Sequence, residues 1–191
     1  MEMVPLAGEP LALDLINTRF GTPEGALDLL ATAEGFGAWL AAEAGRLTPP
    51  GGGGVADAVD LGALRALRDQ VAEAVAHAST GTPPPASTLL ALTEAQRGAP
   101  GHRELAWVDG AVVARPRRGG DPTAVLLAEL AEAAADLLTS PAVTSVRCCE
   151  GPDCTLLFLP AHPRRRWCSP ALCGNRVRVA RYYQRHKDQP R

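Results

Sequence analysis

CCEGPDCTLLFLPAHPRRRWCSPALCGNR, residues 148–176, is the stretch on which the reading of this chain turns. Cys149 and Cys154 enclose four residues, Cys168 and Cys173 enclose another four, and thirteen residues separate the two pairs. Two close thiol pairs on a short basic segment suit a tetrahedral zinc site closed by four thiolates. Disulfides or buried free thiols are the alternatives. Residues 1–10 carry two Glu and no apolar run of the secretory kind, so the chain is expected to stay in the cytoplasm. Thiols stay reduced there, and paired Cys are more often metal ligands. The spacing is wider than the two-residue gap usual in zinc ribbons. Cys148 breaks the symmetry of the intervals and reads as a spare thiol, with service as a substitute ligand the other reading. A site closed by four sulfurs leaves no position for water, which makes the zinc structural.

Charge separates the same segment from the rest. Residues 147–191 hold ten Lys/Arg and three Asp/Glu, a net +7, whereas residues 1–146 carry −9. An acidic body with a basic tail favours a polyanionic partner at the tail. The 191 residues suffice for one main domain and a small module, and 46% hydrophobic residues allow a core. Aromatics are only 4%, so Leu, Val and Ala must fill it. No run approaches the ~20 apolar residues of a membrane span, and no membrane partner is expected.

Ahead of the cysteines the pattern is mostly helical. Thr32 is placed to cap a helix with the apolar stripe Phe36, Trp39, Leu40 and Leu47. Residues 49–54 read as a flexible break. Residues 61–78 repeat apolar side chains at Leu64, Leu67, Val71 and Val75, with Arg65, Arg68 and Asp69 elsewhere on the cylinder. A shorter helix is expected over 88–96. Residues 105–108 and 111–115 flank Asp109-Gly110 and predict a hairpin with a type I′ turn. Asp121-Pro122 opens a helix whose Glu129, Glu132 and Asp136 form a polar stripe opposite Leu127, Leu130, Ala134 and Leu137. Within the metal module, strands are expected at 143–147, 155–159 and 164–167, then a helix from Cys173 to about Lys187. That is the plan of a treble clef, for which the metal supplies the cohesion.

Arg164, Arg165 and Arg166 precede Trp167 and Cys168. On the last helix Arg178, Arg181 and Arg185 fall on one face, with Val179 and Tyr183 expected to pack on the metal core. Such a set can neutralise phosphates, or read guanine edges from a major groove. Docking on the chain's own acidic body, protein binding and a plain solvated face are the alternatives.

Cys173-Gly174-Asn175-Arg176, with Arg165-Arg166-Trp167-Cys168 upstream, resembles the CGNR zinc finger. Leu11-Ala12-Leu13-Asp14-Leu15-Ile16-Asn17-Thr18 resembles the opening of the helical ABATE domain that precedes this finger in the family. The resemblance implies a bacterial, stress-related transcription regulator, with Cys149, Cys154, Cys168 and Cys173 as zinc ligands. Between residues 19 and 145 it rests on general pattern alone. Family members often have an Asp after the Phe-x pair and a longer loop before the Arg run. Here Phe158-Leu159 is followed by Pro160 and a short loop. Physically, Gly174 would let backbone pass close to a zinc-bound sulfur, with helix-start N–H groups bonding the thiolates. Asn175 and Arg176 read equally as supports of the four-thiolate site or as DNA contacts.

Asp14, Asn17 and Thr18 share a face if residues 11–18 are helical. They would line a small pocket, or tie a neighbouring loop as such side chains more often do. The histidines His77, His102, His162 and His186 are scattered, no nucleophile motif accompanies them, and Gly51 to Gly54 lacks the Lys-Ser/Thr of a phosphate loop. An enzyme is therefore not expected. The expected architecture is a mainly α chain: a helical domain with a small β-hairpin over residues 1–140, then a treble-clef-like zinc finger over 141–191. The expected function is DNA-binding transcriptional regulation, with the helical domain sensing a small-molecule effector or forming a homodimer. A zinc-stabilised protein-interaction module without nucleic-acid binding is the alternative.

Overall fold

The computed structural model describes residues 8–22, 25–47 and 58–187, apart from the side chains of Leu172, Arg181 and residues 183–187. The expected break at 49–54 lies outside the described residues. The short helix α1 (Leu11–Ile16) leads into a hairpin of β1 (Arg19–Thr22) and β2 (Gly25–Asp28), pairing Arg19 with Asp28 and Thr22 with Gly25. A single 3-10 turn (Leu29–Ala31) follows, capped by the Asp28 carboxylate. Thr32 caps α2 (Ala33–Ala42) by accepting from the Gly35 N–H. Phe36 and Trp39 are buried as expected, but α2 stops at Ala42, so Leu47 reaches the core from a turn beyond it.

Three long helices carry the core: α3 (Leu61–Ser79), α4 (Ala86–Gly98) and α5 (Pro122–Thr139). Asp60 caps α3 through Gly62 and Ala63, and Asp121 caps α5 with Pro122 in its first turn. The i, i+3, i+4 spacing puts Leu64, Leu67, Val71 and Val75 of α3 against Leu126, Leu130, Ala134 and Leu137 of α5 in one cluster with Leu13, Leu15, Phe36 and Trp39. Helix α1 packs on both α3 and α5. Arg68, expected on the polar side of α3, is instead buried, because it forms a bidentate pair with Asp28 at 2.6 and 2.8 Å and donates to Thr18 Oγ1 at 3.1 Å.

Between α4 and α5 stands the expected hairpin, longer than its sequence signal: β3 (Gly101–Val108) pairs with β4 (Ala111–Arg118). Asp109 and Gly110 take positive φ of 49° and 82°, as a type I′ turn requires. Leu105, Trp107 and Val112 are 64–72% exposed on one face of it.

After α5 the expected strand at 143–147 is mostly a 3-10 turn (Pro141–Ser145) that seats Val143 in the main core. Only β5 (Arg147–Cys148) is strand, paired with β6 (Leu157–Phe158). No strand forms at 164–167, where the backbone turns instead. Cys168 therefore ends no strand. A wide π turn (Pro170–Gly174) carries Cys173 and leads into α6 (Asn175–Lys187). Among the described residues, no helix is long and apolar enough to cross a membrane.

Candidate metal centre and basic face

The β5–β6 pairing folds residues 149–156 into a tight turn, fixed by the Cys149 N–H on Leu156 O at 2.9 Å and by Cys154 N on Gly151 O at 3.2 Å. This brings Cys149 and Cys154 together. The Trp167–Cys168 segment and the π turn bring Cys168 and Cys173 to the same point. The four Sγ atoms all lie within 4.8 Å of one another, and Cys154 Sγ is 3.9 Å from Cys168 Sγ. Four sulfurs about 2.3 Å from a central Zn²⁺ in a tetrahedron stand about 3.8 Å apart, so the donor set fits the ion. Cys149, Cys168 and Cys173 are buried and Cys154 half-buried, while Cys148 is exposed and outside the cluster.

The bare thiols crowd one another. A hydrogen bond with Cys168 draws Cys154 down to about 5, the same bond and then burial push Cys168 well up, and burial pushes Cys173 up to about 11. A central dication relieves that competition by letting all four ionise. Backbone donors help: Gly151 N and Cys168 N approach Cys149 Sγ at 3.4 and 3.3 Å. These are not the donors expected from the sequence. Gly174 N bonds Ser169 O within the π turn, and a Cβ at Gly174 would meet only ordinary contacts from 3.5 Å outward. The glycine pressed on sulfur is Gly151, where a Cβ would stand 3.1 Å from the Cβ and Sγ of Cys173. Its sequence signal, Gly151-Pro152, is that of any turn.

The arginines divide by how they are used. Arg165 is committed within the chain: its guanidinium sits 4.5 Å over the Phe158 ring, and it donates to Glu9 Oε1 at 2.8 Å, to Trp167 O at 3.1 Å and to Cys168 O. Among the described residues of the expected nucleic-acid set it is the most heavily engaged within the chain. Arg166 is exposed but paired with Glu150, its Nε 2.7 Å from the carboxylate, and lies over the Trp167 ring. Arg164 and Arg178 are exposed, and Arg178 reaches Pro170 O at 3.2 Å. Arg176 touches Pro152 O at 3.4 Å across the first cysteine turn, and Asn175 is exposed. The side chains of Arg181, Arg185 and Tyr183 lie outside the described residues. Val179, expected on the metal core, is 44% exposed because α6 leads away from it.

Asp14, Asn17 and Thr18 are all buried but turn to three different partners. Asp14 meets Arg46 and the Gly8 N–H, Thr18 donates to Leu15 O, and Asn17 bonds both the N–H and the C=O of Leu157 at 2.8 Å. Helix α1 covers only residues 11–16, so Asn17 and Thr18 lie beyond its end. Asn17 instead ties the helical body to β6. Three further bonds join the same two parts: Glu9 Oε2 accepts from Leu159 N at 2.8 Å, Glu9 pairs with Arg165, and Gly21 N donates to Thr155 Oγ1 at 3.0 Å. The metal centre's apolar cluster of Leu156, Phe158 and the ligand cysteines is completed by Phe20 from β1. Leu157 and Leu159 pack in return on the main core.

A family model for ABATE, described as "Putative stress-induced transcription regulator", matches residues 9–141, and a CGNR zinc finger model matches residues 145–186. No curated protein sequence matches the chain. The first model spans well over half of the 191 residues, and the chain belongs to the ABATE family, with a CGNR zinc finger behind the ABATE domain. Zinc is the metal of its four-cysteine site.

Proposed function

We propose that this protein is a transcription regulator that grips DNA through its zinc finger. The observation that carries the reading is the basic end of the chain: a net +7 over residues 147–191, with Arg164, Arg176 and Arg178 exposed around a metal-fixed turn and helix. Phosphates are the natural counterpart of such a surface, and the acidic remainder repels DNA elsewhere, so contact is confined to the finger. In this reading residues 1–140 and 141–191 are the two units, the finger is a treble clef with α6 as its terminal helix, and the protein is a cytoplasmic non-enzyme. An effector for the helical part has a candidate place in the cleft of about 590 Å³ between the β3–β4 base and α5, where Arg103 and His102 face Glu129 and Asp136. Fluorescence anisotropy with labelled random duplexes tests the reading. Affinity should fall steeply with salt, about 0.9 in log–log slope for each phosphate neutralised. No binding by zinc-loaded protein at low salt overturns it.

The second reading, a protein-interaction module, draws on the hairpin. Leu105, Trp107 and Val112 form an exposed apolar face on a two-stranded sheet, a surface that partner proteins and second copies cover. A homodimer through this hairpin is compatible with DNA binding by the finger; sedimentation of wild type against Trp107→Ser decides whether it forms.

A further inference from the structure

Asp14 and Glu43 are buried carboxyls, with side chains 1% and 0% exposed, and they share one guanidinium. Arg46 donates to Asp14 Oδ2 at 2.6 Å and to Glu43 Oε2 at 2.7 Å. Each carboxyl keeps one buried oxygen without a partner, Asp14 Oδ1 and Glu43 Oε1. Two ionised carboxylates against one arginine would bury an uncompensated charge, which is strongly unfavourable. One proton held between the two orphaned oxygens satisfies both and balances the charge. Burial and then the Asp14 charge raise the Glu43 carboxyl above the usual range, with a hydrogen bond to Asp14 adding to it, and burial raises Asp14.

The pair is wired to the finger. Arg46 also donates to Glu9 O at 2.5 Å. The Glu9 carboxylate holds Leu159 N and Arg165, and Arg165 holds the carbonyl oxygens of Trp167 and the zinc ligand Cys168. We propose that Asp14 and Glu43 hold a single shared proton in the folded protein, and that its loss loosens the Arg46–Glu9–Arg165 latch between the helical body and the finger. This goes beyond the regulator reading and does not depend on DNA binding.

Other charges face the latch. Arg46 opens on its outer side to the cleft, where α5 presents Glu129, Glu132 and Asp136. The hairpin presents His102, Arg103, Arg117 and Arg118 to the same cleft. Arg118 is engaged by Glu132, and Arg117 by Glu104. His102 is the one imidazole among these. Because both buried carboxyls have raised folded pKa values, their stabilisation is complete at low pH and is lost as pH climbs through those values.

The test uses the zinc-loaded full chain, unfolded by denaturant at intervals from about pH 5 to about pH 9, beside Glu43→Gln and Asp14→Asn. Each variant leaves one carboxyl and one arginine, with no shared proton to lose. Between the ordinary carboxylate pKa and the raised folded value the wild-type unfolding constant should rise by up to about tenfold per pH unit more than that of either variant, and above the folded value the slopes should converge. Trypsin cleavage at the 164–166 run reads the latch: the wild-type rate divided by the Glu43→Gln rate at the same pH should climb over the same range. Parallel pH slopes in wild type and both variants, a cleavage ratio that stays constant with pH, or a slope abolished by His102→Gln instead would overturn the proposal.

Discussion

Asn17 shows how much one side chain can decide. Its amide acts as a strand neighbour for Leu157, donating to the carbonyl and accepting from the N–H, both at 2.8 Å. Removing it strands two backbone groups at a half-buried seam. Asn17→Ala should lower stability by ~1–3 kcal/mol, measured by denaturant unfolding, and loosen β6. Asp28 is the second such residue. Its hydrogen bonds with Arg68 hold its carboxyl below the usual range. A depressed folded pKa stabilises the protein above the ordinary carboxylate pKa, and that stability is lost as pH falls through the lower folded value. The acid limb of the stability profile should therefore flatten in Asp28→Asn; an unchanged limb would show that Arg68 has found another partner. At this scale the sequence was readable where chemistry imposes a spacing, as with the four cysteines. It was opaque where a residue type has many uses. Gly151 beside the sulfurs looks like any turn glycine, and Arg165 looks like its exposed neighbours Arg164 and Arg166.

Elements were legible when their ends carried their own signals. Thr32 and Asp121 cap α2 and α5, and Asp109-Gly110 turns the β3–β4 hairpin. The β1–β2 hairpin escaped because four-residue strands of Arg-Phe-Gly-Thr and Gly-Ala-Leu-Asp lack a clean alternation, and long-range bonds through Arg68 and Thr155 stabilise them. The strand expected at 164–167 failed because the segment's hydrogen bonds go to scattered partners: the Glu150 N–H donates to Arg166 O, and the Arg147 guanidinium donates to Pro163 O. On α6 and its neighbouring turn, exposed Arg178 and Arg164 should act differently from Arg165. Replacing Arg164 and Arg178 by Ala should flatten the log–log salt dependence of DNA affinity by roughly two units with little change in melting. Arg165→Ala should lower melting temperature first, since its guanidinium is held by Glu9 and two carbonyls. Equal salt slopes in wild type and the double variant would exclude these two arginines from the phosphate contacts.

For the whole molecule, the finger is not an appendage on a tether. Phe20 of the body completes the finger's apolar cluster, and Leu157 and Leu159 of the finger pack on the main core. Stripping zinc should therefore unfold the finger and also lower the melting of the helical body, seen as a shift in the helical circular-dichroism transition after chelation. A body transition unmoved by chelation would mean that the seam contributes nothing. The two-part plan is visible in the −9 and +7 charge blocks, but the seam is not: its bonds join residues 9–21 to residues 155–165, and no local pattern announces pairings across so many intervening residues. Gly21 marks how close the two parts come, since a Cβ there would stand 2.1 Å from the Asp153 carbonyl oxygen, far inside contact distance. Gly21→Ala should push the first cysteine turn off β1 and weaken metal retention against a competing chelator, although residue 21 touches no ligand. The same bare spot sets a rule for recombination. A finger transplanted onto another body would dock only where the recipient strand also lacks a side chain beneath its knuckle, so the two modules are interchangeable as matched pairs and not as separate parts.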